Sequence, residues 1–509
     1  MSLPAKSKKS APSVDNSTSN DLIDVIKGRR SQELIIGLCG AIGSGVKPLK
    51  TTLKKKLEDC GYDVYHIRLS DLIIKASGNN SLQDLSGYER YLLLQDAGDS
   101  LRKNHKKTIL AALAIKEIAT LRKMHYGKDK ELGQVIKTDK KVAYILDQLK
   151  HPDEADLLKT VYNHNFYLVG LIRTEKERRV NLEEENILPE QIDELIRRDR
   201  KDNDSFGQQV EKTLFKSDYF IRNVYNQIQL LQESVERFIK LIHGVNGITP
   251  THDEIGMHSA YSASLRSACL SRQVGAAIMD KNGKVIATGC NDVPAAGGGL
   301  YTSSTLKDFR CVRRGQCSND RHKQLLKEEI TSVIRDFIKD PHIINDLANK
   351  ITSETKIKSL IEYSRAIHAE MDAIVSLARD NSESTKEKIL FATTYPCHNC
   401  ARHIVAAGIS RVVYIEPYEK SLALKLHDDS ISDIEEIEKV IFSPFEGASP
   451  SRYEDFFKFN SERKDKNGKV IFNGVNESYH VDTQYLDDYH SYELKITTIV
   501  NDMLGSENI

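Results

Sequence analysis

Two short segments of the 509-residue chain hold residue types that bind zinc. The first is His368-Ala-Glu370, and the second is Pro396-Cys397-His-Asn-Cys400. Two cysteines three residues apart at a helix start can point the same way, and the unpaired backbone N–H groups there favour the thiolate. One imidazole would complete three protein ligands and leave the fourth tetrahedral position to water, as in a catalytic zinc site. We therefore predict that Zn²⁺ is bound by His368, Cys397 and Cys400.

Glu370 follows the histidine by two residues and is predicted to move protons rather than to bind the metal. Zinc lowers the pKa of a bound water to near neutrality, so hydroxide is available without a strong base. A nearby carboxylate could pass the proton of that water to a ring nitrogen and then to departing ammonia. This order of His-x-Glu and Pro-Cys-x-x-Cys is the zinc deaminase pattern. A redox pair would not explain His-Ala-Glu, and a structural knuckle would need a fourth ligand.

The elements around these segments indicate a three-layer α/β/α domain. A hairpin is predicted around Asn282-Gly283, and helices are predicted after His368 and near Cys397. The stretch between the hairpin and His368, residues 300–362, is long for a connection and is expected to fold by itself. The other predicted elements are a helix at 258–270 and strands at 274–279, 284–290, 389–393 and 411–415.

The N-terminal half is predicted to be a parallel α/β sheet with a phosphate-binding loop, like a P-loop NTPase. An apolar strand from residue 33 runs into GAIGSGVKPLK, and further strands are predicted at 62–69, 141–147 and 165–172. The loop departs from a complete Walker A motif because Val46 and Lys47 stand where Lys and Ser or Thr are needed. The alternative is a tight turn without ligand. The candidate nucleotide-binding residues are Gly40, Gly43, Ser44, Gly45, Lys47 and, at a strand end, Asp147.

Composition and length indicate a folded chain of two domains. Lys plus Arg and Asp plus Glu both number 73, so there is no overall basic field for a polyanion. The expected boundaries are a disordered tail at 1–20, a kinase-like domain at 21–245, a deaminase domain at 250–460 and an extension at 461–509. Scattered cysteines and the lack of a long apolar run or signal segment predict a cytoplasmic protein that does not enter a membrane.

Cys311, Cys317 and His322 raise the question of a second, structural zinc site within the insertion. Their spacing is loose and no fourth ligand is evident from the sequence. Two free thiols are the alternative interpretation.

From about residue 257 to 417 the chain resembles the deoxycytidylate deaminase group of the cytidine deaminase superfamily. The resemblance rests on RSACLSRQVGAAIM, GCNDVP, HAEMDAI and YPCHNC. It implies a zinc-dependent hydrolase that acts on a deoxycytidine nucleotide, with a sugar contact at Asn291. The alternative for Asn291 is that it only ends its strand. Arginines could clamp the substrate phosphate, and the candidates are Arg266, Arg272, Arg313, Arg314 and Arg452.

The two-domain layout resembles the bacterial antiphage cytosine nucleotide deaminases of the AvcD type. The resemblance implies deamination of dCTP and dCMP to uracil nucleotides, with regulation by a P-loop domain that is related to nucleoside monophosphate kinases. A homo-oligomer is also expected. A polynucleotide deaminase is one alternative, although the chain has zero net charge and no Trp for base stacking. The other is a sensor that binds a regulatory nucleotide or RNA, suggested by the basic run at 102–107.

Overall fold

A computed structural model of the protein describes most of the chain. The described residues are 30–127, 136, 138, 140–200, 205–224, 227–360, 363–380, 383–416, 421–458, 462–471, 474–475 and 486–504. The predicted tail at 1–20 lies outside them, as does part of the predicted extension at 461–509. Within the described part of the chain, none of the helices combines the length and the apolar composition that a membrane crossing needs.

Five parallel strands form the N-terminal sheet, four of them where the sequence predicted strands of a parallel sheet, and a short sixth strand joins its edge. The spatial order is β12-β5-β4-β1-β3-β2, with only β12 antiparallel to its neighbour. All eight residues of β1 are buried, which is typical of a central parallel strand covered on both faces. The strands are β1 Glu33–Gly40, β2 Tyr62–Arg68, β3 Lys141–Asp147, β4 Phe166–Ile172, β5 Tyr219–Arg222 and β12 Gly447–Ala448.

Helices cover both faces of this sheet. Leu34, Ile36 and Leu38 of β1 pack toward α1 and α9, while Ile35 and Cys39 pack toward α4 and α5. The side chains alternate because successive strand residues point to opposite faces. The helices of this half are α1 Val46–Asp59, α2 Leu69–Ser77, α3 Gly87–Asn104, α4 Ile109–Tyr126, α5 Pro152–Tyr162, α6 Glu175–Glu183, α7 Pro189–Arg200, α8 Val210–Leu214 and α9 Ile228–Ile242.

The second sheet has the order β10-β11-β9-β8-β6-β7. Its β6–β7 hairpin is antiparallel, β6 is antiparallel to β8, and the pairs from β8 to β10 are parallel. The structure therefore has two sheets that are rich in parallel strands, each with helices on both faces. The strands are β6 Gly275–Met279, β7 Val285–Cys290, β8 Ile389–Thr394, β9 Arg411–Glu416, β10 Ile431–Ser432 and β11 Val440–Pro444.

One helix of this half differs from its predicted bounds of 258–270. It runs from His252 to Ser264 because Thr251 caps it, accepting from the Glu254 N–H while the Glu254 carboxylate accepts from the Thr251 N–H. Residues 265–274 are therefore a loop before β6. The helices are α10 His252–Ser264, α11 Cys311–Arg314, α12 Ser318–Phe337, α13 Pro341–Glu354, α14 Ala369–Asp380, α15 His398–Ala406, α16 Ala423–Leu426, α17 Tyr453–Phe457 and α18 Leu486–Leu504.

The long insertion and the C-terminal segments pack in different places. In the insertion, α12 and α13 form their own small core from Ile334, Ile344 and Ala348. The C-terminal segments instead return to the first sheet, where β12 pairs with β5 and α18 adds Tyr489 and Val500 to the core. Segments beyond residue 446 thus complete the N-terminal core, a long-range contact that local sequence patterns do not reveal.

Candidate active site

The structure brings the three predicted zinc ligands together. His368 Nδ1 lies 3.4 Å from Cys397 Sγ and 3.2 Å from Cys400 Sγ. The possible ligand atoms of these three residues all lie within 4.8 Å of one another. Cys397 and Cys400 are buried, and His368 is half-buried. One nitrogen and two sulfur donors that converge in this way fit a zinc ion.

Helix starts place these side chains. Cys397 is the N-cap residue of α15, and Cys400 lies in the first turn of that helix. His368 directly precedes α14, and its carbonyl accepts from the Asp372 N–H at 2.9 Å. The Ile367 N–H donates to the Asp292 carbonyl at 3.0 Å, which ties this helix start to the end of the β6–β7 hairpin.

The three candidate ligand groups shift one another's pKa values. The hydrogen bond with Cys397 raises the pKa of His368 to about 9, although burial opposes this. Hydrogen bonds from Cys400 and His368, acting against burial, lower the pKa of Cys397 to about 4. The hydrogen bond to Cys397, together with burial, raises the pKa of the Cys400 thiol well above its ordinary value. A dication bound by these groups would favour both thiolates.

Glu370 lies in the first turn of α14 and is only 4% exposed. Burial raises the pKa of its carboxyl group, and the nearby His368 only partly offsets this effect. Its side chain also interacts with Cys400. A carboxyl group with a raised pKa beside a metal site is suited to general acid and base catalysis.

A close approach between the hairpin and α14 fixes the strand end beside the ligands. A Cβ atom at Gly289 would lie 2.2 Å from the Ala369 carbonyl oxygen, so only glycine fits between the two backbones. Next to it, the Cys290 N–H donates to the Asp372 carboxylate at 3.0 Å. The residues that follow β7 are therefore held at the start of the helix that carries Glu370.

Asn291 is buried at this strand end, with its side-chain amide bonded to the loop that precedes β6. Its Oδ1 accepts from the Val274 N–H at 2.7 Å, and its Nδ2 donates to the Arg272 carbonyl at 2.8 Å. These bonds close the 265–274 loop onto the hairpin. The sugar contact of Asn291 remains a prediction.

Asp292 is a site residue that the sequence reasoning missed. It is 2% exposed, and its Oδ2 accepts from the Ala268 N–H at 2.9 Å and from Arg310 Nη1 at 3.4 Å. It thus joins the 265–274 loop and the insertion to the helix start at His368. Its position directly after Asn291 in the GCNDVP segment could have indicated from the sequence that it belongs to the site.

Comparison with known proteins assigns a family to this region. The family model described as "Cytidine and deoxycytidylate deaminase zinc-binding region" matches residues 250–416. The deoxycytidylate deaminase of Enterobacteria phage T2 is 31% identical over 162 residues, which are 32% of this chain and 78% of that protein. The chain belongs to the deoxycytidylate deaminase family. The phage T4 deoxycytidylate deaminase is similar, at 30% identity over 32% of this chain and 76% of its own length.

Among solved structures, the dCMP deaminase of cyanophage S-TIM5 in apo form aligns with 39% of this chain and 100% of its own, with 21% identity and a TM-score of 0.22. A similarity this low supports no argument, so the assignment rests on the family model and the phage sequences. It confirms the prediction of a deaminase-type hydrolase for this part of the chain.

The candidate phosphate-binding arginines of the deaminase region have different surroundings. Arg266 Nη2 donates to the Thr288 hydroxyl at 3.2 Å, and Arg272 pairs with Glu416. Arg313 lies 3.5 Å from Asp308, and Arg314 stacks over Phe309. Arg452 lies instead on the N-terminal sheet, 3.5 Å from Asp218. Arg452 is therefore outside the deaminase site.

The structure does not bring the three residues of the candidate second zinc site together. Among the described residues, which include Cys311, Cys317 and His322, the metal-type cluster found is the one at His368. His322 stacks on Tyr363 with ring centroids 5.3 Å apart. The free-thiol interpretation of the two cysteines fits this arrangement.

The glycine loop of the N-terminal half borders a cavity of about 710 Å³. Gly43 and Gly45 both have a φ of 78°, and Gly45 is the N-cap residue of α1. The Ser44 side chain is buried, and its hydroxyl has no hydrogen-bond partner among the residues that the structure describes. Gly40 directly precedes the loop at the end of β1, so the candidate residues of the loop lie together at one strand end.

Lys50, which was not among the candidate nucleotide-binding residues, faces the strand-end Asp147. Lys47 is exposed, whereas Lys50 Nζ lies 3.1 Å from Asp147 Oδ2. His66 Nε2 also lies 3.2 Å from this oxygen. Burial acts to raise the pKa of Asp147, but the hydrogen bonds from His66 and Lys50 outweigh it and lower the pKa. Lys50 lies one helical turn beyond Val46, the position of the lysine in a complete Walker A motif. Residues at this spacing share a helix face, so the sequence could have indicated Lys50 as the lysine of the loop.

Side chains of α6, of α7 and of the segment after β5 bind the loop backbone. Asn181 Nδ2 donates to the Gly43 carbonyl at 3.0 Å, and Asn223 Nδ2 donates to the Ser44 carbonyl at 2.8 Å. The Ile42 N–H donates to Asp199 at 2.7 Å. Two neighbouring arginines of α6 have different contacts: Arg178 donates to the Ile42 carbonyl at 3.4 Å, whereas Arg179 pairs with acidic side chains of α6 and α7. These contacts hold the loop backbone beside the cavity.

Proposed function

We propose that the protein hydrolyses the exocyclic amine of a deoxycytidine nucleotide, converting dCMP, dCTP or both to the uracil nucleotide. The observation that supports this most directly is the buried Glu370 carboxyl group beside a converged histidine and two cysteines. Zinc held by His368, Cys397 and Cys400 would supply a water that is ionised near neutral pH. The deoxycytidylate deaminases named above support the nucleotide class of the substrate.

Glu370 is assigned the proton transfers. Its carboxylate takes a proton from the attacking water, and its raised pKa keeps that proton available for donation. The carboxylic acid then protonates the ring nitrogen of cytosine, and the regenerated carboxylate takes the remaining proton from the hydroxyl group that has been added to the ring carbon. Glu370 passes this second proton to the amino group, which leaves as ammonia while the carbonyl of uracil forms. Burial excludes bulk water from these transfers.

The proposed substrate-binding residue is Asn291, with Arg266 as the candidate for the phosphate. Asn291 is held at the strand end beside the helix start of His368. Arg266 is chosen because its guanidinium donates to the Thr288 hydroxyl of β7, the strand that leads to Asn291. Its guanidinium could bind a phosphate by paired hydrogen bonds.

A mass-spectrometric assay of the zinc-loaded protein with dCMP, dCTP and a cytosine oligodeoxynucleotide tests the proposal. We expect conversion of at least one mononucleotide and no conversion of the oligonucleotide. Conversion of the oligonucleotide alone would contradict the proposal and support polynucleotide deamination. The equal numbers of acidic and basic residues and the lack of Trp weigh against that outcome.

For the N-terminal half we propose a P-loop-like domain that binds a regulatory nucleotide. The helices that follow β1 and β3 lie on opposite faces of the sheet, and β1 and β3 are neighbours. In open α/β sheets, ligands bind outside the carboxyl ends of two neighbouring strands whose following helices lie on opposite faces of the sheet. The cavity lies at this point, with the glycine loop and Asp147 in its wall.

The two halves together support a proposed role in antiphage defence through depletion of cytosine deoxynucleotides. This role rests on the two-domain layout that resembles the AvcD-type deaminases. Assays of dCTP and dCMP pools in phage-infected cells that express the protein would test it, with Glu370→Ala as the matched inactive variant. Pools that fall equally with both proteins would contradict the role.

A further inference from the structure

The helical hairpin of α12 and α13 in the insertion has only a small core of its own. Ile334, Ile344 and Ala348 are buried between the two helices, and three further isoleucines are partly buried against them. Helices normally bury an apolar stripe against neighbouring elements, and a four-helix bundle does so by packing two such pairs together. A single pair of helices therefore leaves room for a second pair to cover it.

Four large apolar side chains of the hairpin are exposed. Val333 and Phe337 of α12 are 59% and 83% exposed, and Ile343 and Leu347 of α13 are 52% and 36% exposed. Together they present a few hundred Å² of apolar surface, and a contiguous patch of this size often marks an interaction site. We call these four residues the apolar hairpin face.

The four residues lie on the same side of the hairpin. Each of them comes directly before a residue that belongs to the hairpin core or packs against it. The residues that follow them are Ile334, Ile338, Ile344 and Ala348. One residue advances about 100° around a helix axis. Because the two helices run in opposite directions, this equal offset along the chain turns both pairs of side chains to one side.

The charges beside the apolar hairpin face are complementary to those of a second copy. Glu329 on α12 and Lys350 on α13 are exposed and flank the face one turn beyond its apolar residues. Ile330 and Ala348 share the hairpin core, so Glu329 and Lys350 lie at about the same height on different helices. A two-fold axis parallel to the helices would place each Glu329 beside Lys350 of the partner subunit.

We propose that the apolar hairpin face is a contact between two copies of this chain. Each α12 packs on α13 of the other copy, and the two hairpins point the same way in a four-helix bundle. The two faces and their flanks bury on the order of 1,000 Å² in total, which is near the lower limit for a specific interface. The contact is isologous and closes with two copies. It does not depend on the proposed deamination.

Sedimentation equilibrium of the full chain over a range of concentrations tests the contact. Phe337→Asp places a charge within the face, and we expect it to weaken the association at least about hundredfold. Ile437→Asp is the matched control, because Ile437 is 94% exposed and lies outside the hairpin. A mass that Phe337→Asp leaves unchanged at every concentration would overturn the proposal. Circular dichroism checks that both variants are folded.

A pair of charge reversals tests how the two hairpins are arranged. Glu329→Lys would face Lys350 of the partner subunit with a like charge at two places, so we expect about tenfold weaker association. Adding Lys350→Glu restores opposite charges and should return the affinity to within about threefold of the original. A hairpin that was merely destabilised would not recover in this way. Absence of recovery would therefore overturn the proposed arrangement.

Carbodiimide cross-linking tests the same pair of residues without any substitution. The reagent joins a carboxylate to a lysine amine that lies in contact with it. After equal amounts of unlabelled and isotope-labelled full-length chains are mixed and allowed to exchange, we expect linked Glu329–Lys350 peptides with one segment from each kind of chain. If such mixed peptides do not form, the contact between copies is disproved even where a variant fails to fold.

Discussion

At the residue scale, the proposed deamination assigns metal binding and proton transfer to different residues. His368, Cys397 and Cys400 present one nitrogen and two sulfurs within 4.8 Å of one another. Glu370 has no place in that ligand set, and burial gives its carboxyl a raised pKa. Metal retention and proton transfer should therefore be separable by substitution.

Glu370→Ala should retain about one zinc per deaminase site and lose almost all turnover. The reason is that the substitution removes the proton carrier and leaves all three ligands. Cys397→Ser should instead release the metal and destabilise the helices around it, because a soft thiolate is lost from a three-ligand site. Metal analysis beside an activity assay distinguishes the variants. Near-normal turnover in Glu370→Ala would refute its role, and loss of zinc there would make Glu370 a ligand or a structural support.

Lys47 and Lys50 offer a second comparison of single residues. Lys47→Ala should leave the zinc content and the deamination rate at saturating substrate unchanged, because Lys47 is exposed and lies in the other half of the chain. Lys50→Met should weaken tripolyphosphate binding about tenfold through loss of a cation in the cavity wall. Calorimetric titration measures the second effect. Abolished deamination in a folded, zinc-loaded Lys47→Ala protein would show that the loop takes part in catalysis.

At the element scale, one buried histidine links the end of α9 to β2. His243 Nδ1–H donates to the Ile239 carbonyl at 2.7 Å, and its Nε2 accepts from the Tyr62 hydroxyl at 2.6 Å. Both bonds fit the neutral ring. Burial lowers the pKa of His243 from 6.5 to about 4.

The stability of the fold should therefore decrease in acid. The unfolded chain takes up a proton on this histidine near pH 6.5, whereas the fold resists protonation until about pH 4. The stabilisation is complete above pH 6.5 and is lost as the pH falls through this window. Between pH 7 and pH 5 the free energy of unfolding should fall by about 2 kcal/mol from His243 alone. Urea unfolding at several pH values measures this decrease for the protein and for His243→Gln, which lacks the titrating ring. If the free energy of unfolding depended on pH in the same way for both proteins, the prediction would be wrong.

At the scale of the whole molecule, the C-terminal helix α18 completes the N-terminal core through a buried charge cluster. Arg122 Nε donates to Glu33 at 2.6 Å, and its Nη1 donates to Glu493 at 2.6 Å. Tyr489 donates to Glu33 at 2.7 Å. The cluster joins the first strand, α4 and the last helix. These parts of the N-terminal half should therefore unfold together.

Arg122→Met should destabilise this half by about 3–5 kcal/mol, because two buried carboxylates lose their cation. Hydrogen exchange should speed up in residues 33–40 and 486–504 together, while residues 389–394 and the zinc content stay unchanged. Lys103→Met, at an exposed site, is the control. Faster exchange in 33–40 alone would show that α18 is not coupled to the strand. Equal acceleration in 389–394 would show that the two halves unfold as one unit.

The sequence alone determined the features that depend on local patterns. The parallel strands followed from short apolar runs, and the zinc ligands followed from residue types at fixed spacing on helix starts. The family followed from the same segments, because motif residues stay contiguous in the chain.

Only the tertiary structure decided the contacts between distant segments. Asp292 joins the 265–274 loop to Arg310, and Lys50 rather than Lys47 faces Asp147. Glu493 pairs with Arg122 across 371 positions of sequence. Side-chain direction and long-range pairing depend on how helices and strands pack against each other. A periodic pattern fixes which face of an element is buried but leaves open which distant element covers it.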